Sequence, residues 1–395
     1  MKSMEWMKIE DLDIYISDSN YSSKYPRSSE FVNNGVPFIR ANNFLNKTIS
    51  SKEMYFITPE KHQILLKGHI KTDDVLITTR GNLGKTALVP ESYNDANINA
   101  QIVLLRANPH QISPKFLIWC FDIPEVRFQI TQLQTGTALQ QLPVGKLIKI
   151  KIPLLPLAEQ KRIAEILDRT QSLISKRKEA IAKLDTLSQS IFIEMFGDPA
   201  TNPKGWDKKF IKDIGQVITG NTPSRANPEF YGDAIEWIKS DNINTPLDYL
   251  TQAEESLSEL GKSVSRIAPS GSILVTCIAG TPSCIGNAAI ANRDVTFNQQ
   301  INALVPFTHN VKFIYTQILV AKKLIQEAST ASMKGMVSKS RFEEIRFICP
   351  PLPLQQKFAK RVEAVEKLKA THRASLSELQ ALFASLQHRA FRGEL

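Results

Sequence analysis

Two stretches of the chain carry the same spacing of apolar residues. From Pro156 to Phe196, and again from Pro351 to Phe391, apolar side chains recur at alternating intervals of four and three. In the first, Ile163, Leu167, Ile174, Ile181, Leu184, Ile191 and Met195 share one seam, interrupted by Thr170, Arg177 and Ser188. In the second, Phe358, Val362, Val365, Leu376, Leu379, Phe383 and Leu386 do so, interrupted by Lys369 and His372. A 3.5-residue period predicts a coiled-coil seam. Each segment starts just after a Pro, and the first contains neither Gly nor internal Pro, so both read as long helices. At 1.5 Å per residue each is about 60 Å long, enough to hold two globular domains apart. Two unrelated amphipathic helices, each packing on its own domain, are the alternative; equal length and duplication favour mutual pairing. The interruptions Arg177, Lys369 and His372 read either as register or docking devices or as a solvated seam edge.

The remainder consists of short β-branched runs punctuated by Gly and Asn, such as ITTRGNLGKTALV and GSILVTCIAGTP, which predict strands and turns. Helices are expected at 114–133 and 311–327. These runs repeat. VPFIRANNF (36–44) lies over IEWIKSDNI (235–243), DVLITT (74–79) over SILVTC (272–277), GKTALV (84–89) over GNAAIA (286–291), and NAQI (99–102) over NQQI (298–301). The two helical segments align without a gap from Pro156 over Pro351 to Phe196 over Phe391. The chain is thus a tandem duplication of an α+β module followed by a long helix. Its predicted organisation is a domain at 1–155, a helix at 156–196, a second domain at 197–350 and a second helix at 351–395.

A chain of 395 residues, 42% apolar and 22% charged, has material for two cores, which excludes long disorder, collagen and solenoids. A net charge of +10 favours a polyanionic partner. It is not concentrated: 1–150 carries 17 basic and 14 acidic residues, and 197–350 carries 16 and 15, so folding must make any basic face. Cys120, Cys277, Cys284 and Cys349 form no CxxC pair and read as reduced. The N-terminal residues lack an apolar stretch, and the longest uncharged run, 267–292, holds two Pro and three Gly, unsuited to a membrane span. A soluble protein of the cytoplasm, without membrane partners, is expected.

Most catalytic patterns fail. GNLGKT (81–86) has two residues between its first Gly and GK where a phosphate loop needs four. NPEFY (227–231) resembles the Asn-Pro-Pro-aromatic motif of amino-methyltransferases, but Glu229 replaces the second Pro and no Gly-rich cofactor loop follows a strand. His62, His69, His110, His309, His372 and His388 form no close ligand pairs, so no metal site is expected, and no GxSxG or HExxH occurs. The adjacent carboxylates Asp73 and Asp74, or Glu254 and Glu255, read as solvated turns. No catalytic residue is assigned.

What remains are loops rich in the side chains that pair with base edges and phosphates. In the first half these are Arg40, Asn42, Asn43, Thr79, Arg80, Asn82, Lys85, Gln101, Thr135, Thr137, Gln140 and Gln141. In the second they are Lys239, Ser240, Asn242, Asn287, Gln299, Gln300, Lys334, Lys339 and Arg341. Each alone is better explained as a turn or capping residue; as a mirrored set they point to nucleic-acid reading.

The chain resembles the specificity subunit of type I DNA restriction-modification enzymes. The resemblance rests on GWDKKFIKDIGQVITGNTPS (205–224), IEWIKSDNI, the Pro-Leu-x-x-Gln helix starts at Pro156 and Pro351, FGDP (196–199) and the terminal AFRGEL, and spans the whole chain. It departs in LPLQQ (352–356), where the first half has LAEQ, and in EWMKIEDL, where the GW form is usual. The resemblance implies an α+β fold in which two tandem-repeat target-recognition domains are joined by two long helices in an antiparallel coiled coil, with pseudo-twofold symmetry. It implies a noncatalytic reader of double-stranded DNA, each domain taking one half of a bipartite asymmetric target, with the helices as ruler. Half-sites on one face of B-DNA sit about 34 to 36 Å apart, a gap such helices can bridge. Implied partners are methyltransferase subunits and restriction and translocation subunits, which would hold S-adenosylmethionine, ATP and Mg; no cofactor is expected in this chain. Two rival readings are a coiled-coil scaffold with no DNA role and an adenine methyltransferase.

Overall fold

The computed structural model describes residues 5–19, 23–136, 139–330 and 335–395. It divides into two compact units, Met1–Glu179 with Ala374–Leu395, and Ala180–Arg373. The N-terminal unit is built on a four-stranded antiparallel sheet in the order Ile14–Asp18, Ile102–Ala107, Val75–Thr78, Thr86–Leu88. The C-terminal unit repeats that order with Gly215–Thr219, Ile301–Pro306, Ile273–Thr276 and Ala288–Ile290.

The apolar runs do not alternate with polar residues because both faces of each sheet are covered. Val75, Ile77, Val103 and Leu105 face one core, which includes Phe116, Trp119, Ile163, Leu167 and Phe391. Leu76, Ala87, Ile102 and Leu104 face another, shared with Ile39 and Ile98. In the C-terminal unit Ile273, Val275 and Leu304 face the core of Phe192, Phe313 and Phe358, while Leu274, Ala289, Ile301 and Ala303 face that of Ile238 and Phe297. Each unit adds a small sheet with a parallel pair: Val36–Ile39 with Asn97–Ile98, and Tyr231–Ile238 with Val295–Phe297.

The two expected helices are each broken. Pro124 lacks an N–H and forces Ile123 into extended backbone, giving Pro114–Cys120 and Pro124–Leu133. Ala321 leaves helical geometry (φ −93°, ψ 19°) and separates Val311–Val320 from Lys322–Glu327. Asp74 is no solvated turn residue: it is fully buried, accepts two hydrogen bonds from the Arg106 guanidinium (2.7 and 2.8 Å) and a third from the Lys71 N–H. Glu255 likewise pairs with Arg225 at 2.7 Å and with Lys239.

The long helices span Leu157–Phe196 and Leu352–Ala390. The first ends at Phe196, followed directly by Gly197 at φ 80°; the second ends at Ala390, with Gly393 at φ 70° three residues on. Seam positions Ile163, Leu167, Ile174, Phe358, Val362 and Val365 are buried; Ile181, Leu184, Ile191, Leu376, Leu379 and Leu386 are half-buried. In the N-terminal unit the start of the first helix (Ile163, Ala164, Leu167) shares a core with the end of the second (Phe383, Leu386, Ala390, Phe391). In the C-terminal unit Phe192 and Phe196 of the first lie 5.6 Å from Phe358 of the second. The start of one helix meets the end of the other in both places, so the pairing is antiparallel. Each half contributes its seam to the core of one unit, and the unit boundary falls within the helix at 179/180 and 373/374.

Among the polar interruptions Lys369 is the most buried, with its ammonium 2.8 Å from Asp185 and 3.0 Å from Asp248. Burial pushes its pKa down, but the hydrogen bonds and charges of the two carboxylates outweigh that and hold it above the ordinary lysine value. A raised lysine stabilises the fold fully below its unfolded pKa of about 10.4 and loses that contribution as pH rises through the folded value. Lys369→Met is therefore expected to cost about 1 to 2 kcal/mol, discounted because Asp185 is 36% exposed. In urea titrations the difference from wild type holds from pH 7 to about pH 10 and shrinks above it. A difference that grows with alkaline pH would contradict the ion-pair assignment.

All four cysteines are free thiols, and burial pushes Cys277 up to about 12. Among the described residues no helix is long and apolar enough to cross a membrane.

Candidate nucleic-acid interface

The polar loops gather at corresponding ends of the two main sheets, held by matching hydrogen bonds. In the N-terminal unit the Thr79 N–H donates to Gln101 O (2.7 Å), and Leu142 N–H to Thr79 O (2.9 Å). In the C-terminal unit Cys277 N–H donates to Gln300 O (2.8 Å), and Val337 N–H to Cys277 O (2.8 Å). The turn leading into each sheet is built alike. Asn99 Oδ1 accepts from Gln101 N–H and its amide donates to Gln101 Oε1 (3.2 and 3.3 Å); Asn298 and Gln300 repeat both bonds (3.1 and 3.3 Å). Asn99 N–H donates to Ile39 O and Asn298 N–H to Ile238 O, joining the Arg40 and Lys239 loops to the same rim.

The glycine turn at 81–84 completes the N-terminal rim. Gly81 and Gly84 have φ of 75° and 73°, which glycine takes without steric cost. A Cβ on Gly84 would lie 2.7 Å from Arg127 Nη1 and 2.9 Å from Ile130. The turn joins two strands, with no helix behind it to receive a phosphate. Thr135 and Gln141 close on it, exchanging backbone bonds of 2.8 Å, and Gly81 N–H donates to Gln140 O.

The sequence candidates divide accordingly. Asn42, Asn82, Lys85, Gln101, Thr135 and Gln140 are exposed on the N-terminal rim, with Arg80 and Gln141 half-buried beside them. Gln299 is exposed in the C-terminal unit, bonded to the Thr222 hydroxyl; Ser240, Asn287 and Gln300 are half-buried. Ser240 Oγ donates to Gln300 Oε1 (3.2 Å), and Asn287 to Asn244 Oδ1 (2.7 Å). Lys339 and Arg341 are exposed on the short helix that follows the rim, Lys339 3.6 Å from Glu343 and Arg341 bonded to Ala328 O. Thr137 and Lys334 lie outside the described residues.

Five candidates serve the scaffold instead. Asn43 and Asn242 are buried and cap their own turns: each Oδ1 accepts the N–H of Arg40 or Lys239, and each amide donates to a loop carbonyl, Lys52 O or Gln252 O, at 2.9 Å. Thr79 is buried and bonded to Gln101 O. The Arg40 guanidinium stacks 3.4 Å from the Tyr55 ring centroid and donates to Glu53 O. Lys239 pairs with Glu255, whose carboxyl it and Arg225 hold below the usual range. Sequence reasoning also passed over Thr222 and Asn244, which sit in the C-terminal rim through Gln299 and Asn287, because neither falls in a repeated segment.

A second cluster corrects the expectation that the histidines stay apart. His62, His69 and Asp95 place one ligand atom each within 4.8 Å of one another. No spacing signals this, since His62 lies 33 residues before Asp95 and the two meet only in the fold, where His69 bridges to Asn97 beside them.

Two units of identical strand order, each with a polar rim at the same end of its sheet and each packing the start of one long helix against the end of the other, define a duplicated α+β protein. The chain belongs to the type I restriction modification DNA specificity domain family, whose model matches it twice, over residues 2–184 and 203–381. It is 26% identical to the type I restriction enzyme HindI specificity subunit of Haemophilus influenzae over 71% of this chain and 60% of that one. It is 34% identical to the MjaIX specificity subunit of Methanocaldococcus jannaschii over 40% of this chain and 37% of that one, and 22% identical to the EcoBI specificity subunit of Escherichia coli over 93% and 82%. The chain thus spans less than two thirds of the HindI and MjaIX subunits. Its fold matches the type I restriction-modification S subunit of M. genitalium (TM-score 0.59, 15% identity, 99% of this chain and 97% of that one). It also matches a chain from a structure describing assembly and conformational transition of the type I R-M system (TM-score 0.61, 18% identity, 100% and 99%).

Proposed function

We propose that this chain is the DNA-specificity subunit of a type I restriction-modification system. Each unit reads one half of a bipartite, asymmetric target in double-stranded DNA, and the long helices set the uncontacted gap and dock the methyltransferase subunits. The chain itself is noncatalytic; S-adenosylmethionine, ATP and Mg belong to the methyltransferase and the restriction and translocation subunits, which work with it in the cytoplasm. The observation that carries this reading is the pair of rims, built by the same backbone hydrogen bonds in both units of a specificity-domain protein.

The test is sequencing of adenine methylation in cells expressing this chain with a matched methyltransferase subunit, with the recognition region of either unit exchanged for that of a relative. The expected motif is bipartite, and its halves change one at a time. An absent motif, or one undivided and indifferent to exchange, overturns the reading.

Lys85 is exposed on the rim and suited to a phosphate contact. In the complex, Lys85→Ala is expected to weaken target and non-target DNA alike, and to lower the slope of log affinity against log salt by about 1. An unchanged slope removes Lys85 from the interface.

A further inference from the structure

We propose that His62, His69 and Asp95 form a binding site for one divalent transition-metal ion of the zinc type, which clamps the helix Pro59–Ile64 and the turn at His69 to the strand Asn97–Ile98. The site goes beyond DNA reading, and its test does not depend on that function.

The first observation is geometric. His62 Nε2 lies 3.3 Å from Asp95 Oδ2, and His69 Nδ1 lies 3.5 Å from Asp95 Oδ1. Ligand atoms at 2.0 to 2.1 Å from a tetrahedral zinc ion lie about 3.3 Å from each other, so each imidazole has ligand spacing to one oxygen of the shared carboxylate, and one atom from each of the three residues lies within 4.8 Å of the others. The two rings are 4.3 Å apart between centroids. Asp95 is 70% exposed, which leaves a coordination position open to water.

The second observation concerns protons. The remaining nitrogen of each ring is engaged behind the site. His69 Nε2 donates to the backbone carbonyl of Leu65, which can only accept. His62 Nδ1 donates to Oδ1 of the buried Asn97. In the neutral rings this leaves His62 Nε2 and His69 Nδ1 with lone pairs facing a carboxylate, an arrangement of acceptors that a cation satisfies. Metal-bound histidine commonly has its other ring N–H held by an oxygen in this way, which fixes the tautomer and the ring's orientation. Two imidazoles with one carboxylate suit zinc and its neighbours rather than Ca or Mg.

The third observation comes from the duplication. Thr58 and Ser258 cap equivalent helices, and the His69 bridge to Asn97 corresponds to the pairing of Ile267 with Thr296. The C-terminal unit therefore places Lys262 and Ile267 where the N-terminal unit has its imidazoles, while Asp294 persists. The fold does not need these histidines as scaffold. The strand they hold runs into Asn99 and Gln101, so the ion would brace the base of the N-terminal rim.

The test uses the full-length chain without a histidine tag, stripped by chelator, in calorimetric titration with ZnCl₂ and in visible absorption with Co²⁺. Wild type is expected to bind one ion per chain and to give the intense bands of low-coordinate cobalt. His62→Ala and His69→Ala are each expected to weaken binding at least tenfold. Asp95→Asn, at an exposed position that leaves the fold intact, is expected to weaken it as well. Absence of stoichiometric binding by wild type overturns the proposal. So does wild-type binding by the folded His62→Ala/His69→Ala double variant, which would place the ion on other ligands. Should the double variant fail to fold, Asp95→Asn decides: unchanged affinity and cobalt spectrum reject the site.

Discussion

Replacing Phe358 with alanine is expected to destabilise the C-terminal unit by about 3 to 5 kcal/mol. Phe358 is fully buried, edge-on to Phe192 and Phe196 at 5.6 Å and 6.3 Å from Phe313. Those partners come from the central helix and from Val311–Val320, so one side chain joins three elements. Truncation removes both its transfer free energy and its aromatic contacts, and the surrounding rings, already packed on one another, have little freedom to collapse into the space. Hydrogen exchange in urea, followed on peptides within Ala180–Arg373, measures the loss. A change below about 1 kcal/mol would mean that the aromatic cluster repacks and does not hold the helix to the unit.

The long helices and the duplication were legible because both signals are local or periodic. A seven-residue repeat survives any tertiary context, and an ungapped match from Pro156 to Phe196 needs no knowledge of the fold. Sheet order was not legible. The strand Ile102–Ala107 pairs with Ile14–Asp18 and Val75–Thr78 across dozens of residues, and its two faces serve two different cores, which removes the period-2 pattern that would have marked it. The His62, His69 and Asp95 cluster was hidden for the same reason.

The rim shows where polar composition misleads. Asn43 sits beside Arg40 and Asn42 in a loop, where it looks like a reader, yet its amide is consumed by the turn that carries it. A signal was present: Asn43 recurs as Asn242, Asn99 as Asn298 and Gly84 as Gly286. If the two copies read different half-sites, as proposed, identity between them marks what both need, which is the scaffold. Under the proposed function, positions that differ between copies are the ones free to specify bases: Asn42 against Asp241 and Arg80 against Ile278. Specificity in this architecture is therefore sought where the repeat fails.

The helix-start glutamines carry that logic to its largest polar effect. Gln160 is fully buried: its Oε1 accepts the Ser113 N–H (2.8 Å), and its amide donates to Leu155 O (2.8 Å) and Gln111 O (3.1 Å). Gln355 does the same in the second copy, accepting from Asn310 N–H (3.0 Å) and donating to Pro350 O (2.8 Å). Each thus ties the first turn of a long helix to the strand exit before it and to the loop entering the unit's helical layer. Leucine has nearly the same volume, so Gln160→Leu or Gln355→Leu creates no cavity but strands buried N–H and C=O groups. At about 1 to 3 kcal/mol per stranded group, with partial relaxation, the expected loss is about 2 to 4 kcal/mol in urea titration. The two substitutions lie in different units with no shared partner, so their costs are expected to add. A near-neutral Gln160→Leu would show that the glutamine is replaceable packing, and that the Pro-Leu-x-x-Gln start is held by its proline alone.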